Sequence, residues 1–186
     1  MKAFATYPSE MSTYQDRISG VTVHRLTNYL CHSHHAYFTN NGWWDENRRL
    51  LFCSDRENAS NLFSIEIATG EISRLTDFAP GDRTPVHFSN DVNPKRPEVY
   101  YTREEKLYAL DLMTLESRLL YETPKGFTIH GGLVGADGRY TYVVLKEDLS
   151  DRIYANLSAS YVGMREIFAA KPDCRIVRID TENGGG

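Results

Sequence analysis

Leu62-Phe-Ser-Ile-Glu-Ile-Ala-Thr-Gly70, continued by Glu71-Ile-Ser-Arg-Leu-Thr76, decides the fold of this chain because it occurs more than once. Apolar and polar residues alternate on both sides of a Thr-Gly pair, the pattern of two strands joined by a tight turn. Forty-five residues later the pattern returns as Leu107-Tyr-Ala-Leu-Asp-Leu-Met-Thr-Leu115 and Glu116-Ser-Arg-Leu-Leu120, on the same phase. A third copy, Ile176-Val-Arg-Ile-Asp180 with a turn opening at Glu182-Asn-Gly184, lies a further 69 residues on, the extra length being an insertion. Each copy is preceded by a second apolar strand, at Arg49–Asp55, Glu98–Arg103 and Arg139–Leu145. Ahead of these stand short stretches, Tyr37–Thr39, His87–Ser89 and Leu133–Val134, each closed by a polar turn.

Four strands in a unit of about 40 to 45 residues make a propeller blade, whose middle strands are buried on both faces by the neighbouring blades. The expectation is an all-β fold, one partial β-propeller domain over residues 1–186. Its blades span 33–76, 84–120 and 130–186, the last incomplete at its C-terminal end and interrupted by an insertion at 146–172. Inside the insertion, Leu157–Phe168 has helical spacing, with Leu157, Met164 and Phe168 on one face. Val21-Thr-Val-His-Arg-Leu-Thr27 resembles Ile72–Thr76 and reads as an outermost strand with no blade before it, a closing strand at 21–27 whose sheet partners lie elsewhere. Three blades do not close a ring, since propellers have at least four, so the chain is expected to be an arc of a larger ring.

Composition agrees with sheet: 12 tyrosines and 8 phenylalanines among 186 residues, 41% hydrophobic overall. A formal charge of −4, with 25 acidic and 21 basic residues interspersed, leaves no broad electropositive face, which argues against nucleic acid as a partner. No apolar run is long enough for a membrane span or a signal peptide, so a cytoplasmic location and no membrane partner are expected. Cys31, Cys53 and Cys174 are odd in number and widely spaced, which suggests reduced, mostly buried thiols rather than a disulfide framework or a zinc knuckle.

The densest chemical cluster is Cys31-His-Ser-His-His-Ala-Tyr-Phe-Thr39, with three of the six histidines, at the start of a blade's innermost strand. Innermost strands line a propeller's central channel, so His32 and His34, which share a side by alternation, stand at the channel mouth. They serve either as hydrogen-bonded loop groups or as contacts to a sugar acid or metal; two histidines alone do not make a metal site, which needs three or four ligands. In repeat register His34 corresponds to Thr84 and to His130, the latter beside Gly131 and Gly132, which permit close backbone approach. Arg83 and His87 occupy the equivalent loop of the middle blade, where Arg83 offers a carboxylate clamp. Lys125 and Arg165 are weaker candidates, as solvated charges. No G-x-S-x-G, P-loop, G-x-G-x-x-G or H-E-x-x-H is present, so hydrolase-triad, nucleotide and zincin readings lack a motif. Ser54-Asp-Arg56 reads as a turn signature with no catalytic weight.

Thr13-Tyr-Gln-Asp16, His32-Ser-His-His-Ala-Tyr-Phe-Thr-Asn-Asn-Gly42, Leu50-Leu-Phe-Cys-Ser-Asp-Arg56 and Phe168-Ala-Ala-Lys-Pro-Asp-Cys-Arg-Ile-Val-Arg-Ile-Asp180 together resemble the N-terminal half of the oligogalacturonate lyase family. Leu-Phe-x-Ser-Asp-Arg and Thr-Gly-Glu by themselves also fit TolB-like propellers, and the alternative is a non-catalytic, protein-binding scaffold of that kind. The resemblance implies a seven-bladed propeller that cleaves short galacturonate oligomers, chiefly unsaturated digalacturonate, by β-elimination in pectin breakdown. It also implies a divalent cation, usually manganese. In that family the catalytic histidine, its arginine and the His and Gln metal ligands come from the C-terminal half, so the expectation here is no catalytic residue and no metal ligand. His32, His34, Arg83 and His130 are expected to contact the uronate carboxylates of the substrate.

Overall fold

The structure is a computed structural model that describes residues 3–81, 91–155 and 161–184. Its strands are β1 (Ala5–Tyr7), β2 (Ser12–Gln15), β3 (Thr22–Arg25), β4 (Ser33–His34), β5 (Trp43–Trp44), β6 (Arg49–Ser54), β7 (Asn61–Glu66) and β8 (Ile72–Arg74). There follow β9 (Asp91–Val92), β10 (Glu98–Arg103), β11 (Lys106–Asp111), β12 (Ser117–Glu122), β13 (Phe127–Val134), β14 (Tyr140–Glu147), helix α1 (Met164–Ala170) and β15 (Cys174–Asp180). Three antiparallel sheets succeed one another: β4 and β5 on β6, then β7, β8 and β1; next β9-β10-β11-β12; last β13-β14-β15. Each sheet is a blade, and the chain is a partial all-β propeller.

Alternation explains why the blades stack. In β6, Leu51 and Cys53 turn toward the second blade and pack with Val99, Tyr101 and Leu110, while Phe52 turns the other way onto Phe63, Ile65 and Ile72. In β10 the intervening Tyr100 points to the third blade, against Ile129, Val143, Leu145 and Ile179. Successive side chains of one strand thus feed two different interblade cores. Polar contacts fasten the same seam: Asn93 donates to the Tyr100 hydroxyl at 2.7 Å and to the Gly138 carbonyl at 2.8 Å. Gly138 has a φ of +73°, and a Cβ there would run into the Asn93 carboxamide. Gly138→Ala is therefore expected to cost about 2 kcal/mol, from the left-handed backbone and displaced hydrogen bonds, read as a lower urea midpoint at unchanged m-value.

Several expectations change in detail. Tyr37–Thr39 lies in a turn, and the inner strand of the first blade is divided between β4 and β5. Trp44 draws the hairpin down the chain: its ring is buried and Nε1 donates to Ser64 Oγ at 3.0 Å. Asn41 then braces the loop, accepting from the Trp43 N–H and donating to the Trp43 carbonyl. The expected inner strand His87–Ser89 lies outside the described residues; the inner strand seen in the second blade is β9. The helix is shorter than its spacing suggests, because Gly163, at φ +80°, caps it only at Met164; Leu157 lies outside the described residues. Of the cysteines only Cys53 is buried, whereas Cys31 is half-buried and Cys174, at the start of the outlying strand β15, is exposed.

Residues Thr22–Arg25 of the expected outermost strand pair with β2 in a two-stranded sheet of their own, and β1 adds a strand to the outer edge of the first blade. Arg56 holds this N-terminal segment down. Its guanidinium is buried between the rings of Tyr7 and Tyr29, at 4.9 and 4.6 Å, and donates to Glu10 at 2.6 Å. Glu10 also accepts the backbone N–H groups of Asn28 and Tyr29 at 2.8 and 3.0 Å.

Candidate functional site

The start of β4 is clasped to the end of β6. The His32 N–H donates to Asp55 Oδ1 at 2.8 Å, the Asp55 N–H returns to the His32 carbonyl at 3.2 Å, and Ser54 Oγ donates to the same carbonyl. This fixes the histidine-rich stretch at the innermost edge of its blade. His32 and His35 are exposed, whereas His34 is half-buried. Loss of water around His34 pushes its imidazole below the ordinary histidine range, Asp55 opposing and His32 and His35 reinforcing the shift. At neutral pH His34 is an uncharged hydrogen-bonding group rather than a cation.

His130 stands on β13, exposed, with its Nε2 2.8 Å from Thr128 Oγ1. It lies opposite Val144, as His34 lies opposite Cys53. Cys53 packs toward the second blade and Val144 is exposed on the side of β14 away from it, so the two histidines stand opposite positions on corresponding sides of their blades. They border different cavities. His34 adjoins a pocket of about 160 Å³ with Leu26, Leu50 and Phe52. His130 lines a cleft of about 670 Å³ that includes Tyr37, Asn40, Glu105, Thr128 and Tyr142. Arg83 and His87 lie outside the described residues, as does Thr84. Lys125 and Arg165 are exposed on the surface.

A buried carboxylate that sequence reading passed over organises the inner edge of all three blades. Asp91, on β9, accepts the Asn41 N–H from the first blade at 3.0 Å and the Val134 N–H from the third at 2.7 Å. Burial raises its carboxyl above the ordinary aspartate value of 3.8, against the lowering effect of those N–H groups. Nearby, Asn40 Nδ2 donates to the Gly132 carbonyl at 2.9 Å, tying the first blade directly to the third. In the sequence Asn90-Asp91 reads only as a turn; its pairing with groups 50 and 43 residues away has no local signature.

The wall of the cleft is irregular where the chemistry concentrates. The pairing of β13 with β14 shifts register between His130 and Leu133, and Gly131 takes a φ of +60°. Such a bulge re-aims neighbouring side chains, and glycine adopts its backbone without strain. Glu105 is already engaged, accepting the Ile129 N–H at 2.6 Å. Among the described residues no group of three or more His, Cys, Asp or Glu converges as a metal ligand set, so the donors here do not fit a resident cation. No helix among them is long and apolar enough to cross a membrane.

Comparison with known proteins bears on both fold and family. The oligogalacturonate lyase from Dickeya dadantii (strain 3937) is 28% identical over 181 residues, which are 92% of this chain and 43% of the Dickeya protein. The chain spans less than half the length of the curated relatives it matches. A solved oligogalacturonate lyase in complex with manganese superposes on all of this chain and 48% of its own, with a TM-score of 0.85 at 23% identity. A putative TolB from Agrobacterium tumefaciens covers 97% of this chain and 62% of its own at a TM-score of 0.56 and 14% identity, a likeness of fold alone. The family model described as oligogalacturonate lyase matches residues 3–186, nearly the full length, and on that match the chain belongs to the oligogalacturonate lyase family.

Proposed function

We propose that this chain forms one wall of the substrate channel of an oligogalacturonate lyase, and that the complete ring cleaves short galacturonate oligomers, unsaturated digalacturonate among them, in the cytoplasm during pectin breakdown. The observation that carries the reading is the family match over residues 3–186. The elimination needs a base for the C5 proton and positive charge to stabilise the carboxylate as it gains enolate character while the C4 oxygen leaves. A divalent cation, manganese in the solved relative, is the cofactor we infer for the whole enzyme. Among the described residues no ligand set for it converges, and following the family resemblance we assign its ligands and the catalytic groups to the part of the ring that this chain does not span.

The share of these residues is binding. We assign His32, His34, Arg83 and His130 to the uronate carboxylates, His34 as a neutral hydrogen-bonding group. The TolB-like scaffold is supported only by a likeness of fold. Two measurements test the reading. Digalacturonate is expected to shift the NMR resonances of His130 and its neighbours more strongly than the neutral methyl ester does, and equal response to both would remove the uronate assignment. With manganese present, the 186-residue chain alone is expected to generate no ultraviolet absorbance of an unsaturated product from digalacturonate; turnover would overturn the placing of the catalytic groups beyond it.

A further inference from the structure

Tyr37 is 54% and Phe38 79% exposed, two adjacent large rings left in water on the turn between β4 and β5. The turn that carries them is fixed: Ala36 before it is buried, the Asn40 N–H donates to the Tyr37 carbonyl at 2.7 Å, and the Asn40 side chain is anchored on Gly132. The Phe38 and Tyr37 ring centroids are 4.2 Å apart, and Tyr37 lines the same cleft as His130. Thr39, Thr128 and His130 line the same cleft. An aromatic face sharing a cleft with a few hydrogen-bonding groups suits a ligand that is apolar on one face and polar at its rim. A pyranose ring has that form: its C–H groups present an apolar face while its hydroxyls and carboxylate project from the edge.

We propose that Tyr37 is the stacking platform of a sugar subsite, on which one ring of a uronate oligomer lies flat with its polar rim toward Thr128 and His130. The uronate identity of that ring rests on the reading of the site given above; the platform rests on the cleft itself. Phe38 serves as a positioning residue that props the tyrosine ring.

The test is calorimetric titration of the protein with digalacturonate and with its neutral methyl ester. Tyr37→Ala is expected to weaken digalacturonate binding about tenfold, with the melting temperature unchanged because the exposed ring supports no core. Tyr37→Phe keeps the aromatic face and is expected to bind within about twofold of the parent. Binding unchanged in Tyr37→Ala, or no binding by the parent protein, would overturn the proposal. If acid and ester bind equally well and Tyr37→Ala weakens both, the platform stands and the uronate reading falls.

Discussion

Glu10→Ala is expected to destabilise the protein by about 3–5 kcal/mol, the cost of leaving a buried charge without its partner. The Arg56 side chain is 1% exposed, Glu10 is its carboxylate partner, and its Nε and Nη2 have no hydrogen-bond partner among the described residues. Removing Glu10 also frees the N–H groups of Asn28 and Tyr29, so the N-terminal strands should lose protection in hydrogen exchange before the interblade cores do. Replacing both partners together, Glu10→Leu with Arg56→Met, is expected to recover most of the loss, because an apolar pair needs no desolvated charge. A single variant as stable as the parent would show that the pair contributes nothing. Burial alone would raise the Glu10 carboxyl, but the Arg56 hydrogen bond and the two N–H groups outweigh it and hold it below its ordinary value of 4.5. Its contribution is therefore complete above pH 4.5 and lost as the pH falls through the lowered pKa.

Asp91→Ala is expected to cost about 3–4 kcal/mol, because two backbone N–H groups lose their acceptor at the inner edge of the blades, at about 1–3 kcal/mol each. The effect should be cooperative across blades, with exchange of the Asn41 and Val134 amides accelerating together. The pH dependence has the opposite sign to that of Glu10. Asp91 has a raised pKa in the folded protein, so its ionisation is disfavoured there; its effect on stability is most favourable below pH 3.8 and worsens as the pH rises through the raised value. Asp91→Asn removes that dependence while keeping one acceptor, and is expected to be less harmful than the alanine variant. Urea unfolding as a function of pH in the two variants checks both statements.

The two carboxylates also show where sequence reading stops. The four-strand repeat was legible because it is written in neighbours two apart: Leu51 and Cys53 against Phe52, Val99 and Tyr101 against Tyr100. The family was legible in the histidine-rich stretch and in Lys171–Asp180, and the match over 3–186 agrees. The split of the first inner strand was not, since it follows from Trp44 finding Ser64 across the sheet. Nor was the role of Arg56, which in sequence ends a common turn and in the fold joins Glu10, 46 residues away. In the candidate site, register singled out His34 and His130, which border different cavities and stand as proposed contacts, whereas Tyr37 was read as a strand residue and its place in the lining of the cleft followed only from the turn.

The sequence by itself determined that the chain is built of blades and which face of each middle strand is apolar. Alternation and turn chemistry are local, and every copy of the repeat states them again. Only the tertiary structure decided which polar groups meet: Asp91 with Asn41 and Val134, Asn40 with Gly132, Glu10 with Arg56. Those meetings depend on the angle at which one blade is laid on the next, a quantity set by packing across two cores rather than by any stretch of adjacent residues.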